Sequence, residues 1–330
     1  MKTGIIFLGV GALLVLSVLV GGVSWWKWAK GAAAPGNSHV VDFVVPKGQA
    51  AGEVGGRLAE VGIIKSGLAF KLALQLSGQT GQIQAGEYRL SPAEDLTGVI
   101  KRLLLGPSDI WLTFPEGWRK EQVAARLVAN LTLTEEGKQQ FLREFFTGAR
   151  EGYLFPDTYL IPREATAGKV LVIFEENFKR KVEGEELGTR DLDEVMIMAA
   201  LVERETRVEE ERPIVAGILW KRLVAGWPLQ ADAGLQYARA NKECGLGQVE
   251  CDEWWGQVTV ADKELDSPYN TYKNRGLLPG PVASPGLSSI RAATQPAETD
   301  YWFYLHDEGG GVHFARTIEE HNANIARYLR

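Results

Sequence analysis

The sequence predicts an α+β chain set behind a single N-terminal transmembrane helix. Three features carry this expectation. The run GIIFLGVGALLVLSVLVGGVSWW, Gly4 to Trp26, contains no charge. Helix and strand signatures are mixed along the rest of the chain without regular βαβ alternation. A strand–turn–helix unit occurs twice. The 330 residues are 45% apolar and 24% charged, the balance of a folded protein with room for one large or two small domains. Net charge is −6 and no Lys/Arg cluster is present, which argues against nucleic acid as a partner.

At about 1.5 Å per residue, a helix over residues 4–26 crosses a hydrocarbon core of roughly 30 Å and leaves residues 1–3 as a cytoplasmic tail. Trp25, Trp26 and Trp28, with Lys27 and Lys30, are the residue types of an interfacial anchor. A cleaved signal peptide is the alternative, because GAAAPG (Gly31 to Gly36) offers small residues for cleavage. The apolar run exceeds the roughly 7–15 residues of a signal core, so an uncleaved anchor is the expectation. Residues 27–39 read as a linker.

VDFVVPKGQAAGEVGGRLAEVGII then reads as a strand, a turn at Pro46–Gly48 and a helix, with Leu58, Val61 and Ile64 at helical spacing. A second helix follows near Leu68 to Leu76. IQAGEYRLSPAEDLTGVIKRLLLG gives a strand ending near Leu90 and a helix from about Glu94 to Leu105, started by Ser91. Ile110 to Val128 repeats the first unit at an offset of 69: Pro46 matches Pro115, Gly48 matches Gly117, Val54 matches Val123, and Arg57–Leu58 matches Arg126–Leu127. Two copies are too few for a solenoid, so a duplicated small α+β unit is expected.

In EGYLFPDTYLIPREA, the rings of Tyr153, Phe155 and Tyr159 either pack a core or line a groove for sugars. A helix is predicted near Ala167 to Lys181. The C-terminus reads as strand, glycine turn at Gly309–Gly311, strand and helix, with Thr317 and Glu320 as a capping box. Cys244 and Cys251 lack nearby histidines and do not form a zinc site; outside the cytoplasm they permit a short-loop disulfide.

MAALVERETRVEEERP holds five glutamates between Glu203 and Glu211, behind the apolar run Val195 to Val202. That run should be buried on every side. Glu203 stands over Ala199 and Ala200, so its carboxyl leaves an apolar helix with space beside it. Lost hydration favours a neutral, proton-donating carboxyl, as a general acid requires. Glu205 faces another side and supports the same argument, while a purely structural helix remains open. Glu209, Glu210 and Glu211 read as a solvated face. His313 and His321 lack carboxylate company, so no metal is expected.

ALVERET, LQAD, SPYNTY, GLLPGPVASPG and HFARTIEEHN, in that order, resemble the YceG-like family of endolytic murein transglycosylases, from about residue 40 to 330. The resemblance implies a LysM-like subdomain over residues 40–107 and a mixed α+β catalytic domain over residues 108–330. The family's essential glutamate, first of its V-E-x-E-T motif, falls on Glu203. Its L-Q-x-D falls on Leu229 to Asp232, its Y-N-T-Y on Tyr269 to Tyr272, and its proline-rich loop on Leu278 to Gly286, with Val282 where isoleucine is common. The resemblance implies cleavage of the β-1,4 bond between MurNAc and GlcNAc in nascent glycan strands, forming 1,6-anhydroMurNAc and terminating strand elongation. Ordinary glycosidases need two carboxyls. Here Glu203 would act as acid and then base, because the sugar's own C6 hydroxyl attacks. Gln230, Asp232, Asn270, Thr271 and Tyr272 are the implied substrate-binding residues, with Asp232 either orienting a group or capping a helix. The proline-rich loop is either a groove wall or a structural turn. No cofactor is implied. The implied partners are peptidoglycan glycan strands and cell-wall synthases, at the bacterial cytoplasmic membrane, with a single span and the catalytic domain outside. Asn241 to Gly256 is longer than the family usually carries. Two alternatives remain: a muramidase with Asp232 or Glu205 as second carboxyl, and a non-catalytic wall-binding protein.

Overall fold

The computed structural model describes residues 17–182, 184, 185, 188 and 190–329. It is α+β and divides into two compact units, one ending at Ile110 and one spanning Trp111–Arg330. Residues 4–16 of the expected membrane helix lie outside the described residues, and no described helix is long and apolar enough to cross a membrane. Residues 17–30 are helical. This helix enters the stretch read as a linker, which is partly buried over residues 31–34 and exposed over residues 35–39. Ala29 is fully buried in the first unit's core, with Trp25 and Trp26 against it. The Ala34 amide donates to the Pro92 carbonyl at 2.8 Å.

The first unit runs β1 (Val41–Val45), α1 (Ala51–Glu60), α2 (Gly67–Leu76), β2 (Gly86–Leu90) and α3 (Leu96–Leu105). The strands pair antiparallel, with Val41 opposite Leu90 and Val45 opposite Gly86. Period-two alternation turns Phe43, Val45, Tyr88 and Leu90 inward, onto Val54, Leu58, Phe70, Leu74, Val99 and Leu103 of the helices. Asp95, rather than Ser91, caps α3, its Oδ1 accepting from the Gly98 amide at 2.7 Å.

The same order recurs next: β3 (Asp109–Thr113), α4 (Lys120–Asn130), α5 (Glu135–Gly148), β4 (Thr158–Pro162) and α6 (Ala167–Val182), with β3 paired to β4. The sequence repeat is a structural repeat. Gly48 and Gly117 both take positive φ, 81° and 72°, which the turn requires. Val54 and Val123, and Leu58 and Leu127, are all buried. Arg57 donates to the Val44 carbonyl and Arg126 to the Thr113 carbonyl, and these two acceptors again match across the repeat.

The remaining elements are α7 (Leu192–Glu205), a 3₁₀ turn (Glu209–Glu211), α8 (Arg212–Val224), α9 (Asp232–Cys244), a 3₁₀ turn (Ala261–Glu264), α10 (Leu287–Thr294), β5 (Phe303–His306), β6 (Val312–Ala315) and α11 (Ile318–Tyr328). Helix α7 is the axis of the second unit. Every residue from Val195 to Val202 is buried, as its all-round apolar pattern requires. Helices α8, α9 and α10 pack around it. Phe155 and Tyr159 are core residues, and Tyr159 lies against Phe114 and Phe174. The terminal hairpin pairs Phe303 with Ala315 and His306 with Val312. Thr317 caps α11, and Glu320 reaches back to the Arg316 amide at 2.7 Å.

One close approach fixes the seat of α8. A Cβ at Gly217 would lie 2.1 Å from the Ala297 carbonyl oxygen, in a segment also tied to α8 through the Ala297 amide and the Pro213 carbonyl at 2.9 Å. Gly217→Ala is therefore expected to destabilise the fold by about 1–3 kcal/mol, read as a lower denaturation midpoint in urea.

Candidate active site

Helix α7 ends at Glu205, and the 3₁₀ turn over Glu209–Glu211 reverses the chain into α8, with Pro213 in its first turn. The reversal lays Arg212 beside Glu203. Arg212 Nη2 donates to Glu203 Oε1 at 3.1 Å. Glu203 Oε2 accepts from the Gly286 amide at 3.0 Å and from Ser289 Oγ at 2.8 Å. Gly286 is the N-cap of α10 and Ser289 lies in its first turn. The Glu203 side chain is 7% exposed and that of Arg212 6%. Lost hydration is thus only part of the expected picture. The carboxyl is buried, and donors from α8 and from the start of α10 replace the water it gave up.

A second carboxyl shares the same guanidinium. Glu116 occupies the middle of the second P-x-G turn, and its Oε2 lies 3.6 Å from Arg212 Nη2. Two backbone hydrogen bonds dock this turn on the proline-rich loop: the Gly117 amide to the Ser284 carbonyl and the Ser284 amide to the Trp118 carbonyl, both 2.8 Å. The Glu116 carboxyl rests on Gly286, where any Cβ would come within 1.9 Å of its Oε1. The proline-rich loop is therefore at least a wall for this pair of acids. Burial, then the charge of Glu203, raises the Glu116 carboxyl above its ordinary value, against the pull of Arg212. Glu116, Arg212 and Ser289 escaped the sequence reading. The one available signal was that the repeat places an acid at Glu116 where the first copy has Lys47.

The other expected residues divide by burial. Asn270 is fully buried. Its amide nitrogen donates to the Lys263 and Leu265 carbonyls, and its oxygen accepts from the Tyr272 amide. Thr271 is buried too, and its hydroxyl accepts from the Ala231 amide and donates to the Ala231 carbonyl. Both side chains are satisfied inside the fold and hold the loop together. Thr271 also accepts the Gln230 amide at 3.2 Å, which clamps Gln230 at φ 55°, the positive φ of a non-glycine residue. Gln230 and Asp232 are exposed and Tyr272 half-buried, with the Tyr272 hydroxyl donating to Asp232 Oδ1 at 2.7 Å. Asp232 opens α9, but Ala231 is the N-cap and no side-chain cap bond forms. Of the carboxyls near the end of α7, the one on Glu203's guanidinium is Glu116; Asp232 bonds Tyr272, and Glu205 accepts from the Tyr304 hydroxyl at 2.9 Å.

Cys244 and Cys251 form a disulfide at the end of α9. The long segment they staple continues into two tryptophans. Trp254 covers the buried Arg119, and Trp255 covers Arg204 with 3.9 Å from guanidinium carbon to ring centre. Arg204 Nη1 in turn lies 3.2 Å from where a Cβ on Gly117 would stand, so the segment reaches the flank of the Glu116 turn. Among the described residues no group of three or more His, Cys, Asp or Glu could hold a metal ion.

The profile of the YceG-like family matches residues 43–327. The chain belongs to the YceG-like family. An endolytic murein transglycosylase of Bacillus subtilis is 30% identical over 321 residues, covering 88% of this chain and 85% of that protein. One from Streptococcus pneumoniae is 28% identical over 361 residues, covering 96% of this chain but 64% of that longer protein. The crystal structure of a yceG-like protein from Listeria monocytogenes superposes with a TM-score of 0.54 at 26% identity, covering 87% of this chain and 99% of that one.

Glu205 lies two residues from Glu203 in the family motif but has a different environment. Burial, then the charge of Asp232, pushes its carboxyl up to about 7. A raised carboxyl binds its proton more tightly folded than unfolded, so the folded state holds more protons between roughly pH 4.5 and 7. Stability from this group is present below that window and is lost as pH rises through it. Glu205→Gln is expected to flatten that fall, read as the midpoint of urea unfolding at pH 5 and pH 8.

Proposed function

We propose that the chain is an endolytic lytic transglycosylase acting on peptidoglycan glycan strands. One observation carries the reading: the glutamate at the family's essential position, Glu203, is buried against Arg212, the Gly286 amide and Ser289 rather than turned to bulk solvent. The relatives in Bacillus subtilis and Streptococcus pneumoniae are named for this activity and support it.

In the proposed reaction, a carboxyl proton passes to the oxygen leaving C1 of MurNAc. The C1–O4 electron pair departs with that oxygen. The C6 hydroxyl oxygen of the same sugar forms a bond to C1, and its proton passes to the carboxylate. Water is neither consumed nor held, and intramolecular attack supplies much of the rate through proximity. Glu203 is the acid and then the base. Arg212 and the Gly286 amide fix the carboxylate in place. Of the implied substrate-binding residues, Gln230 and Asp232, which are exposed, and the half-buried Tyr272 are taken to contact the strand. Residues 40–107 are taken as the LysM-like subdomain, and residues 4–26 as the anchor that would hold the enzyme at the outer face of the bacterial cytoplasmic membrane, where strands emerge. Tethering there raises the local concentration of enzyme at the strand.

Glu116 gives hydrolysis a specific argument, because two carboxyls are what a muramidase uses. The products decide between the two. Mass analysis of muropeptides after incubation with purified glycan is expected to show 1,6-anhydro ends from the native protein. Glu203→Gln is expected to reduce them at least about a hundredfold with its circular dichroism intact. Reducing ends in place of anhydro ends would favour the hydrolase.

A further inference from the structure

Glu116 is absent from the family's essential motif and from every residue the sequence singled out. Its position in the site is nonetheless built. A turn docked by two backbone hydrogen bonds presents it, a glycine at 286 makes room for its carboxyl, and one guanidinium faces both it and Glu203. We propose that Glu116 is the second carboxyl of the active site, and that the Glu116–Glu203 pair, sharing Arg212, stores the proton that the reaction uses. The proposal rests on the transglycosylase reading above.

The geometry divides the two acids. Glu203 Oε2 accepts two hydrogen bonds and Oε1 one, so a single lone pair on Oε1, beside Arg212, stays open for a proton. Glu116 is 47% exposed against 7% for Glu203, so it is the member of the pair that solvent reaches. The charged groups acting on Glu116 are Glu203 from α7, Glu209 from the 3₁₀ turn and Arg212 from α8, with Arg204 of α7 beside the adjoining Gly117. At this point α10 contributes the Ser289 hydroxyl and the Gly286 amide, and no charge. Arg212 Nε and Nη1 are buried without a hydrogen-bond partner among the described residues, so Nη2 is the contact through which the guanidinium meets both carboxyls. Burial, then the charge of Glu203, raises the Glu116 carboxyl, so a proton is held there more readily than on a free side chain.

The cycle balances. The pair begins with one proton. That proton goes to O4 as the C1–O4 bond breaks. The C6 hydroxyl loses its proton to the pair as O6 bonds C1, and the pair regains its starting state. Glu116 thereby supplies the repulsion that keeps a proton on the site, and its own carboxyl is open to solvent.

The test is the rate of anhydro-end formation on purified glycan strands against pH, for the full chain and for E116Q, E116D and E203Q. Removing the Glu116 carboxyl removes the repulsion between the two acids, so the site gives up its proton at lower pH. For E116Q the alkaline limb of the rate profile is expected to move down by about one pH unit, a tenfold loss of rate at fixed pH on that limb. E116D, which keeps the charge on a shorter arm, is expected to return the limb part of the way. An E116Q profile scaled by one factor at every pH, or left unmoved, while E203Q is inactive, overturns the shared-proton proposal alone. Anhydro ends formed by E203Q at the native rate overturn the transglycosylase reading and this proposal with it.

Discussion

The structure depends on how one buried carboxylate is supplied with donors. Helix α7 has apolar residues on every side, and at its last turn it delivers Glu203 into the protein. A carboxylate there loses its water, and the loss is tolerated only if directed donors replace it. Three donors do so, and they come from two places far apart in sequence. Arg212 requires the chain to turn back sharply after α7, which the 3₁₀ turn and Pro213 accomplish. The Gly286 amide and the Ser289 hydroxyl require the start of α10 to abut the end of α7. The small residues Ala199 and Ala200, and Ala292 and Ala293 of α10, belong to the buried core these helices share, where short side chains let helices approach closely. The packing of the second unit and the geometry of its acid are one constraint.

The duplicated unit shows how scaffold and chemistry separate. Both copies keep the turn glycine, the buried valine and leucine of the following helix, and an arginine that donates back to the preceding strand. These parts are enough to fold a small strand–helix–helix–strand unit. The middle residue of the turn is free of that duty. It is Lys47 in the first copy and Glu116 in the second, and the second turn docks on the proline-rich loop. A position that the fold leaves open thus carries an acid in the copy that meets Glu203.

Local patterns in the sequence revealed what local physics decides. The burial of Val195 to Val202 followed from its all-round apolar content, the repeat from matched turn and helix residues, and the terminal hairpin from glycines between alternating strands. The end of the apolar run drew attention to both Glu203 and Glu205, and the resemblance to the family motif chose Glu203. Its surroundings were not legible, because Gly286 and Ser289 lie more than eighty residues away and no local period points to them. Glu116 was hidden for the same reason: a glutamate in a P-x-G turn reads as solvated until another loop closes over it. Asn270 and Thr271 illustrate the converse. The family resemblance implied contact with a ligand, but both are buried and bonded to backbone, where they shape the loop that holds Gln230.

The central claim is that the proton-transfer centre is the Glu203 carboxyl held against Arg212, with Glu116 beside it. A crystal structure of Glu203→Gln with an uncleaved GlcNAc–MurNAc oligomer tests it most directly. The account predicts the scissile glycosidic oxygen within hydrogen-bonding distance of residue 203 or of the Glu116 carboxyl, with the C6 hydroxyl of the same MurNAc facing that pair. An oligomer seated with its glycosidic oxygens away from Arg212 and both acids would contradict it.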